Sequence, residues 1–434
     1  LQIVTGSYER VLHGFTVSIA PNTTADPDAS AESATFSDTF LFSAHASSVR
    51  SLAISQPTQA GKRILATGSS DERVNLYQIS SSAPSANAAN HMSSSSSLLG
   101  SSISENPRNR ELGSLLHHSR TVTRLSFPTK SKLFSAAEDN TIAITRVRDW
   151  TMLSSIKAPV PKQHGRPSGD TAAPGEVPAG VNDFAIHPSM KLMISVGKGE
   201  RCMRLWNLVT GKKAGVLNFD KSLMAQAGEG KFGTGEGRRV VWSQDGEKFV
   251  VLFERGAVVY NMDSEPVAVI KSVPTTKIHQ ARFVPTRTDG PTILAVSTDN
   301  GRIMFFDLDR YSALVDAVDT KAEDKLPVCA CVAQIESATL SSAGRIKDFE
   351  LLEVSASGIS FDLVFVTASS DGAVRLWGIQ SASLTSEAKT SGKIVTPKQV
   401  GTLLGVRETG NRLTCLTGFV MDDAVEEDKE EDIV

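Results

Sequence analysis

The sequence predicts an all-β chain folded as a seven-bladed β-propeller, closed by pairing of its N- and C-terminal strands. Three observations lead there. A strand–turn–strand phrase recurs along the chain, an alternating strand precedes most copies, and the two chain ends carry complementary parts of one more unit. Self-similarity of this kind outweighs length as a guide, because 434 residues would otherwise suit two or three average domains.

The phrase is clearest at Ile64 to Tyr77 (Ile-Leu-Ala-Thr-Gly-Ser-Ser-Asp-Glu-Arg-Val-Asn-Leu-Tyr) and at Phe365 to Trp377 (Phe-Val-Thr-Ala-Ser-Ser-Asp-Gly-Ala-Val-Arg-Leu-Trp). Weaker copies stand at 133–145, 193–206, 250–260 and 294–307. Ahead of them run Val49 to Ser55, Val122 to Pro128, Val181 to Pro188, Arg239 to Gly246 and Ile278 to Pro285. Alternation of period two, bounded by Pro, Gly, Asp or Ser, marks strands and reverse turns. Blades are expected over about 39–79, 111–149, 151–210, 213–263, 265–309 and 328–379, with a seventh split between 398–420 and 1–17. Joining the ends in this way leaves no sheet edge between them. Residues 1–420 thus read as one propeller.

Between the blades lie a Ser-rich insertion at 80–110 and a Pro/Gly-rich one at 158–180, both of compositions that cannot build a core. The segments 220–238, 310–327, 336–347 and 380–398 are further excursions. Residues 421–434 form an acidic tail of eight acids and one lysine, which leaves the rest of a chain of net charge −3 slightly basic. Such a body permits phosphate contacts without demanding them. Apolar residues make up 40% of the chain, enough for a core, yet no run approaches the ~18 residues of a membrane span, so no membrane partner is expected.

The four cysteines are too sparse for a disulfide scaffold, and Cys329 and Cys331 read as packing residues on one strand face. Gly228 to Gly233 satisfies GxGxxG, but more glycines and a strand follow where a dinucleotide site needs a helix. The Asn22 glycosylation triplet is discounted as a chance match. No phosphate loop, HExxH or GxSxG motif occurs, and no histidine cluster has ligand spacing. The expectation is a binding platform and not an enzyme, with no cofactor, no metal site and no small-molecule substrate.

These repeats resemble the WD40 family over nearly the whole chain, with Asp-Gly-Ala-Val-Arg-Leu-Trp at 371–377 as the strongest match. The resemblance implies a structural hydrogen-bond network of His45, Thr67, Asp71 and Tyr77, partly repeated at His118, Ser135 and Asp139 and ending in Asp371 and Trp377. A His–Asp–hydroxyl set also suggests a hydrolase triad. Its recurrence from blade to blade favours the structural reading, since a nucleophile has no reason to repeat.

The turns on the same rim carry Arg10, Arg73, Arg201, Arg255 and Arg302, with Lys231, Arg238 and Arg239 in a neighbouring loop, and these are the expected partner-binding residues. Gly-Ser-Tyr-Glu-Arg-Val-Leu-His-Gly-Phe at the start, the degenerate third and fourth blades, and Arg239-Val-Val-Trp-Ser-Gln-Asp-Gly-Glu-Lys-Phe look like the PAK-interacting-protein family, including the fungal Mak group of nucleolar factors. That resemblance implies a scaffold in assembly of the large (60S) ribosomal subunit, located in the nucleus and nucleolus. Its implied partners are pre-60S assembly factors, ribosomal-protein-like proteins and pre-ribosomal RNA. The alternative it carries is a signalling adaptor that binds and inhibits a PAK-type protein kinase. Members usually have a lysine-rich C-terminal extension, whereas 421–434 here is acidic.

Overall fold

The computed structural model describes residues 1–20, 33–59, 61–82, 109–161, 179–230, 233–285, 290–312, 325–336, 344–355, 358–385 and 397–422. Lys231, the Asn22 triplet, most of the 80–110 and 158–180 insertions and the acidic tail from 423 lie outside the described residues.

Successive strands pair antiparallel in groups of four. The first unit contains Val49–Ile54, Lys62–Ser69, Val74–Ser80 and Arg110–Leu115. The second contains Val122–Thr129, Lys132–Ala137, Thr141–Arg146 and Met152–Lys157, and the third Val181–Ile186, Leu192–Gly197, Cys202–Asn207 and Lys212–Asn218. A nine-stranded sheet follows. It holds Arg239–Trp242, Lys248–Leu252, Gly256–Asn261 and Pro266–Lys271 on one side, and Ile278–Phe283, Ile293–Thr298, Ile303–Ser312 and Val328–Ile335 on the other, with short Lys398–Gln399 attached. Among the described residues the strand ladder joins the two sides at a single parallel bridge, Val269↔Val328, so they form the fourth and fifth units. The sixth contains Ile346–Glu353, Leu363–Ser369, Ala373–Ile379 and Thr402–Glu408. In the seventh, Leu413–Phe419 pairs with Gln2–Ser7, followed by Val11–Ile19 and Ala34–Ser43.

The first strand of each unit packs on the first strand of the next. Ile346–Glu353 touches Leu413–Phe419, which touches Val49–Ile54, and the circuit closes. The closing ladder runs from Gln2↔Phe419 to Ser7↔Leu413. The result is an all-β, propeller-like ring. Each sheet is offset by one strand from the sequence units: Arg110–Leu115 opens the expected 111–149 blade but hydrogen-bonds to Val74–Ser80 of the sheet before it. Every such repeat therefore spans two sheets and ties them covalently.

Burial explains the sequence pattern. Ile293–Thr298 and Leu363–Ser369 are buried along their whole length because neighbouring sheets cover both faces, which is why they read as short continuous apolar runs. Outermost strands such as Lys212–Asn218 are largely exposed. The core is a circle of inter-sheet clusters. One joins Phe305, Phe349, Phe365 and Trp377, and another joins Ile3, Phe15, Val366, Leu376 and Leu416. Each such buried side chain contributes about 1.5–3 kcal/mol. Among the described residues, no helix is long and apolar enough to cross a membrane.

Candidate functional site: the loop face and the channel

On one face of the ring, the loop entering each unit meets the turn between that unit's two middle strands. A backbone bond ties loop to turn in most units: Ser70 N–H to Ser48 O, Glu138 N–H to Thr121 O, Lys198 N–H to Gly180 O, Asp299 N–H to Lys277 O, Ser370 N–H to Arg345 O and Tyr8 N–H to Arg412 O. The first two units add a side-chain lock. Asp71 accepts His45 Nδ1–H at 3.0 Å and Ala46 N–H at 2.9 Å, while His45 Nε2 lies 2.7 Å from the Thr67 hydroxyl. In the second unit Asp139 accepts from His118 Nδ1 (3.1 Å) and Ser119 N–H (3.1 Å), and His118 Nε2 meets Ser135 Oγ at 2.8 Å. Each histidine is thereby held between a carboxylate and a hydroxyl inside the fold, where a substrate has no access.

The electrostatics follow from these contacts. Burial acts to raise both carboxyls, but hydrogen bonds from the loop N–H groups and the histidines prevail and hold Asp71 and Asp139 below the ordinary carboxylate range. Burial pulls His45 below its usual value against the opposing pull of Asp71.

Other expected members are placed differently. Tyr77 is not joined to the first lock: its ring packs edge-on against Phe42, with centroids 5.6 Å apart. Burial pushes its phenol up to about 12, opposed by a hydrogen bond from Asn75. Asp371 accepts Gly344 N–H (3.2 Å) and Ala373 N–H (3.0 Å) and pairs with Arg375 at 2.9 Å in place of a histidine, and Trp377 sits in the core. The hydroxyl–indole end of such a lock survives in the third unit, where Trp206 Nε1–H donates to Ser195 Oγ at 2.8 Å. Sequence reading missed that pair, although Ser195 stands at the same step of the phrase as Thr67 and Ser135.

The expected arginine annulus is only partly present. Arg10, Arg73 and Arg255 are exposed on the loop face and pair with no carboxylate among the described residues. Arg302 is neutralised by Glu336 at 2.7 Å, Arg238 faces Glu254 at 3.7 Å, and Arg201 donates to the carbonyls of Thr234 (2.9 Å) and Gly233 (3.4 Å). Arg239 opens an innermost strand and faces Asp183 in the central channel at 3.7 Å. Carboxylates distant in sequence thus claim three of the seven described members of the expected set. The same face exposes Tyr8, under the Arg412 guanidinium at 5.8 Å, together with Leu116, Val160 and Val273.

Residues 109–145, which contain His118, Ser135 and Asp139, match the family model described as "WD domain, G-beta repeat". That stretch of the chain carries a WD40 repeat. The chain resembles p21-activated protein kinase-interacting protein 1-like of Gallus gallus at 26% identity over 416 residues, 96% of this chain and 79% of that protein. Protein MAK11 of Saccharomyces cerevisiae is 26% identical over 446 residues, 98% of this chain and 84% of that one. The human p21-activated protein kinase-interacting protein 1 is 28% identical over 416 residues, 96% and 76%.

The central channel of this propeller-like ring carries a belt of polar residues that the sequence alone did not single out. A β-bulge recurs near the start of the innermost strands, between Val49 and Ser51, Val122 and Arg124, Val181 and Asp183, Ile278 and Gln280, and Ile346 and Asp348. Bulges re-aim a side chain, and these set up a belt between neighbouring units. Ser51 Oγ accepts Leu125 N–H, Asp183 accepts Val240 N–H, and Asp348 accepts Gln280 Nε2–H and Leu416 N–H, all at 3.0 Å. Arg124 also faces Asp183, at 3.2 Å. Aligning the blades on the first buried residue of each inner strand would have exposed this set. Of the cysteines, Cys329 and Cys415 are buried, and burial pushes both thiols up to about 12, so they remain protonated packing groups.

Proposed function

We propose that this protein is a non-catalytic scaffold that binds protein partners during assembly of the large ribosomal subunit in the nucleolus, with pre-60S factors and ribosomal-protein-like proteins as partners. The observation that carries this reading is the similarity to Protein MAK11 along 98% of the chain, together with the resemblance of its opening segment to the PAK-interacting-protein family that includes the fungal Mak group. The loop face supports a protein partner: exposed Tyr8, Leu116, Val160 and Val273 stand among arginines that are not neutralised, the mixture that anchors protein interfaces. Tagged protein is expected to copurify with large-subunit precursor RNA. Sedimentation solely in light fractions after gentle lysis overturns the reading. Charge reversal of Arg10, Arg73 and Arg255 together is expected to weaken particle association while leaving the melting temperature unchanged.

A second reading has its own support, since two of these relatives are named for interaction with a p21-activated protein kinase. In that reading the chain is an adaptor that binds and inhibits a PAK-type kinase. Saturable binding to the purified kinase, with inhibition and without ribosomal precursors, decides for it.

A further inference from the structure

At the end of the central channel away from the loop face lies a cavity of about 460 Å³, walled by the far ends of five successive innermost strands. Its polar wall consists of Arg124, Gln280, Arg282 and Glu350, with Trp242 and Gln244 at the mouth. Arg282 is anchored, its Nε–H donating to Phe349 O at 2.6 Å and a terminal nitrogen lying 3.0 Å from Glu350. Arg124 is not anchored in this way. Its Nε faces Asp183 at 3.2 Å without hydrogen-bond alignment, and it and the Trp242 indole N–H are buried donors without an acceptor among the described residues. A buried donor left unmade costs about 1–3 kcal/mol.

The carboxylates beside these arginines are engaged in part: Asp183 Oδ1 is buried without a hydrogen bond and faces Arg124 at 3.2 Å and Arg239 at 3.7 Å, while the remaining contacts are made to neighbouring units. Asp183 accepts Val240 N–H, and Asp348 accepts from Gln280 and Leu416. Burial also raises Glu350 toward its neutral form, against the pull of Arg282. The wall therefore offers the Arg124 guanidinium and the Trp242 indole N–H as donors in a confined, partly apolar space, to whose lining Phe184, Val241 and Phe283 contribute.

We propose that this lower mouth is a pocket for a carboxylate side chain of a protein partner, an Asp or Glu flanked by apolar residues, held by Arg124 and Arg282. Planar guanidinium groups suit a carboxylate, and the apolar lining suits the neighbours of an acidic residue on a peptide. The rim argues against a nucleic-acid backbone, since Asp245 and Glu247 stand beside Gln244 in the turn that borders the mouth. A run of phosphates would be repelled there, whereas one inserted carboxylate passes the rim. The inference rests on the reading of the chain as a binding platform and adds a second, chemically specific surface on the face opposite the loops.

The test uses the purified full chain and the pentapeptide Leu-Phe-Glu-Phe-Leu, followed by calorimetry and by tryptophan fluorescence. Saturable binding is expected, with the Gln analogue at least about tenfold weaker, a loss of ~1.4 kcal/mol. Arg124→Gln is expected to cost the Glu peptide about tenfold and the Gln peptide little. Gln244→Glu leaves every ion pair of the belt intact, so it serves if Arg124→Gln fails to fold; added negative charge at the mouth is expected to weaken the Glu peptide selectively. Trp242→Phe is expected to remove the fluorescence response. Equal affinity for the Glu and Gln peptides, no binding at millimolar peptide, or oligouridylate binding that Arg124→Gln abolishes each overturns the proposal. Failure here leaves the ribosome-assembly reading standing, while loss of particle association with intact peptide binding removes that reading alone.

Discussion

The first two units and the fourth and sixth solve one mechanical problem with different chemistry. Each must fasten its incoming loop to the turn between its middle strands. In the first two, an aspartate and a histidine do it from inside the fold. In the fourth, the Glu229 carboxylate accepts Arg255 N–H at 2.7 Å, and in the sixth Asp371 takes Gly344 N–H directly. The backbone tie recurs in both kinds of unit, between Ser70 and Ser48 and between Ser370 and Arg345. The ring's geometry is thus carried by main-chain hydrogen bonds and inter-sheet packing, and the side-chain lock is an added reinforcement. This is why the motif can decay around the ring while the sheets persist.

That comparison can be broken first at the seam. Deleting residues 411–420 removes the strand that pairs with Gln2–Ser7 and withdraws Leu413, Cys415 and Leu416 from the core. Cooperative unfolding is expected to vanish in calorimetry, because several kcal/mol of burial and an entire ladder are lost together. A truncation that melts like the intact chain would show that the ring does not depend on this closure.

Next comes the contrast between belt and lock. Asp348→Ala leaves Gln280 and Leu416 N–H unpaired and is expected to cost about 2–4 kcal/mol. Asp139→Ala is expected to cost about 1–3 kcal/mol, since the backbone bond from Glu138 to Thr121 survives it. Urea midpoints at constant slope measure both, and a larger cost at Asp139 than at Asp348 would reverse the ranking of belt over lock.

Acid should separate locked from unlocked units more gently. His45 is held below its ordinary value, so the unfolded chain takes up a proton there first and stability falls as pH drops below about 6.5. Asp71 and Asp139 are also held low, so their contribution is present at neutral pH and is lost as pH falls from about 4 downward. The urea midpoint is therefore expected to fall between pH 7.5 and 5.5, and His45→Gln to flatten that fall.

The smallest effect lies in the turns. Glu72 adopts φ 71° where the matching turn of the sixth unit has Gly372 at φ 89°. Left-handed backbone costs a side-chain-bearing residue roughly 1–2 kcal/mol, so Glu72→Gly is expected to stabilise by up to about 1 kcal/mol once the glycine's extra unfolded-state entropy is offset. A lower melting temperature would mean that Glu72 makes compensating contacts.

Strand order and ring closure were legible because buried middle strands such as Leu363–Ser369 leave an unbroken apolar signature between turn residues. The locks at His45 and His118 were legible because Asp and His stand at fixed steps of the phrase. What the chain concealed was pairing across sequence. Nothing near Arg302 announces Glu336, and nothing near Arg239 announces Asp183, so two guanidinium groups expected to be free are neutralised. The channel belt was hidden for the same reason, since each of its members lies on a different strand and the bulge that aims it leaves no local pattern.

The seam between Gln2–Ser7 and Leu413–Phe419 has a consequence for biosynthesis. A ribosome makes one partner some 400 residues before the other, at roughly 5–20 residues per second. For tens of seconds the edge of Gln2–Ser7 stays open on a nascent polypeptide whose other sheets are already forming, a template for pairing with any strand nearby. Safe production of this ring then depends on something shielding that edge until Leu413–Phe419 leaves the exit tunnel, so translation speed and chaperone supply, more than the finished fold's stability, would set the yield.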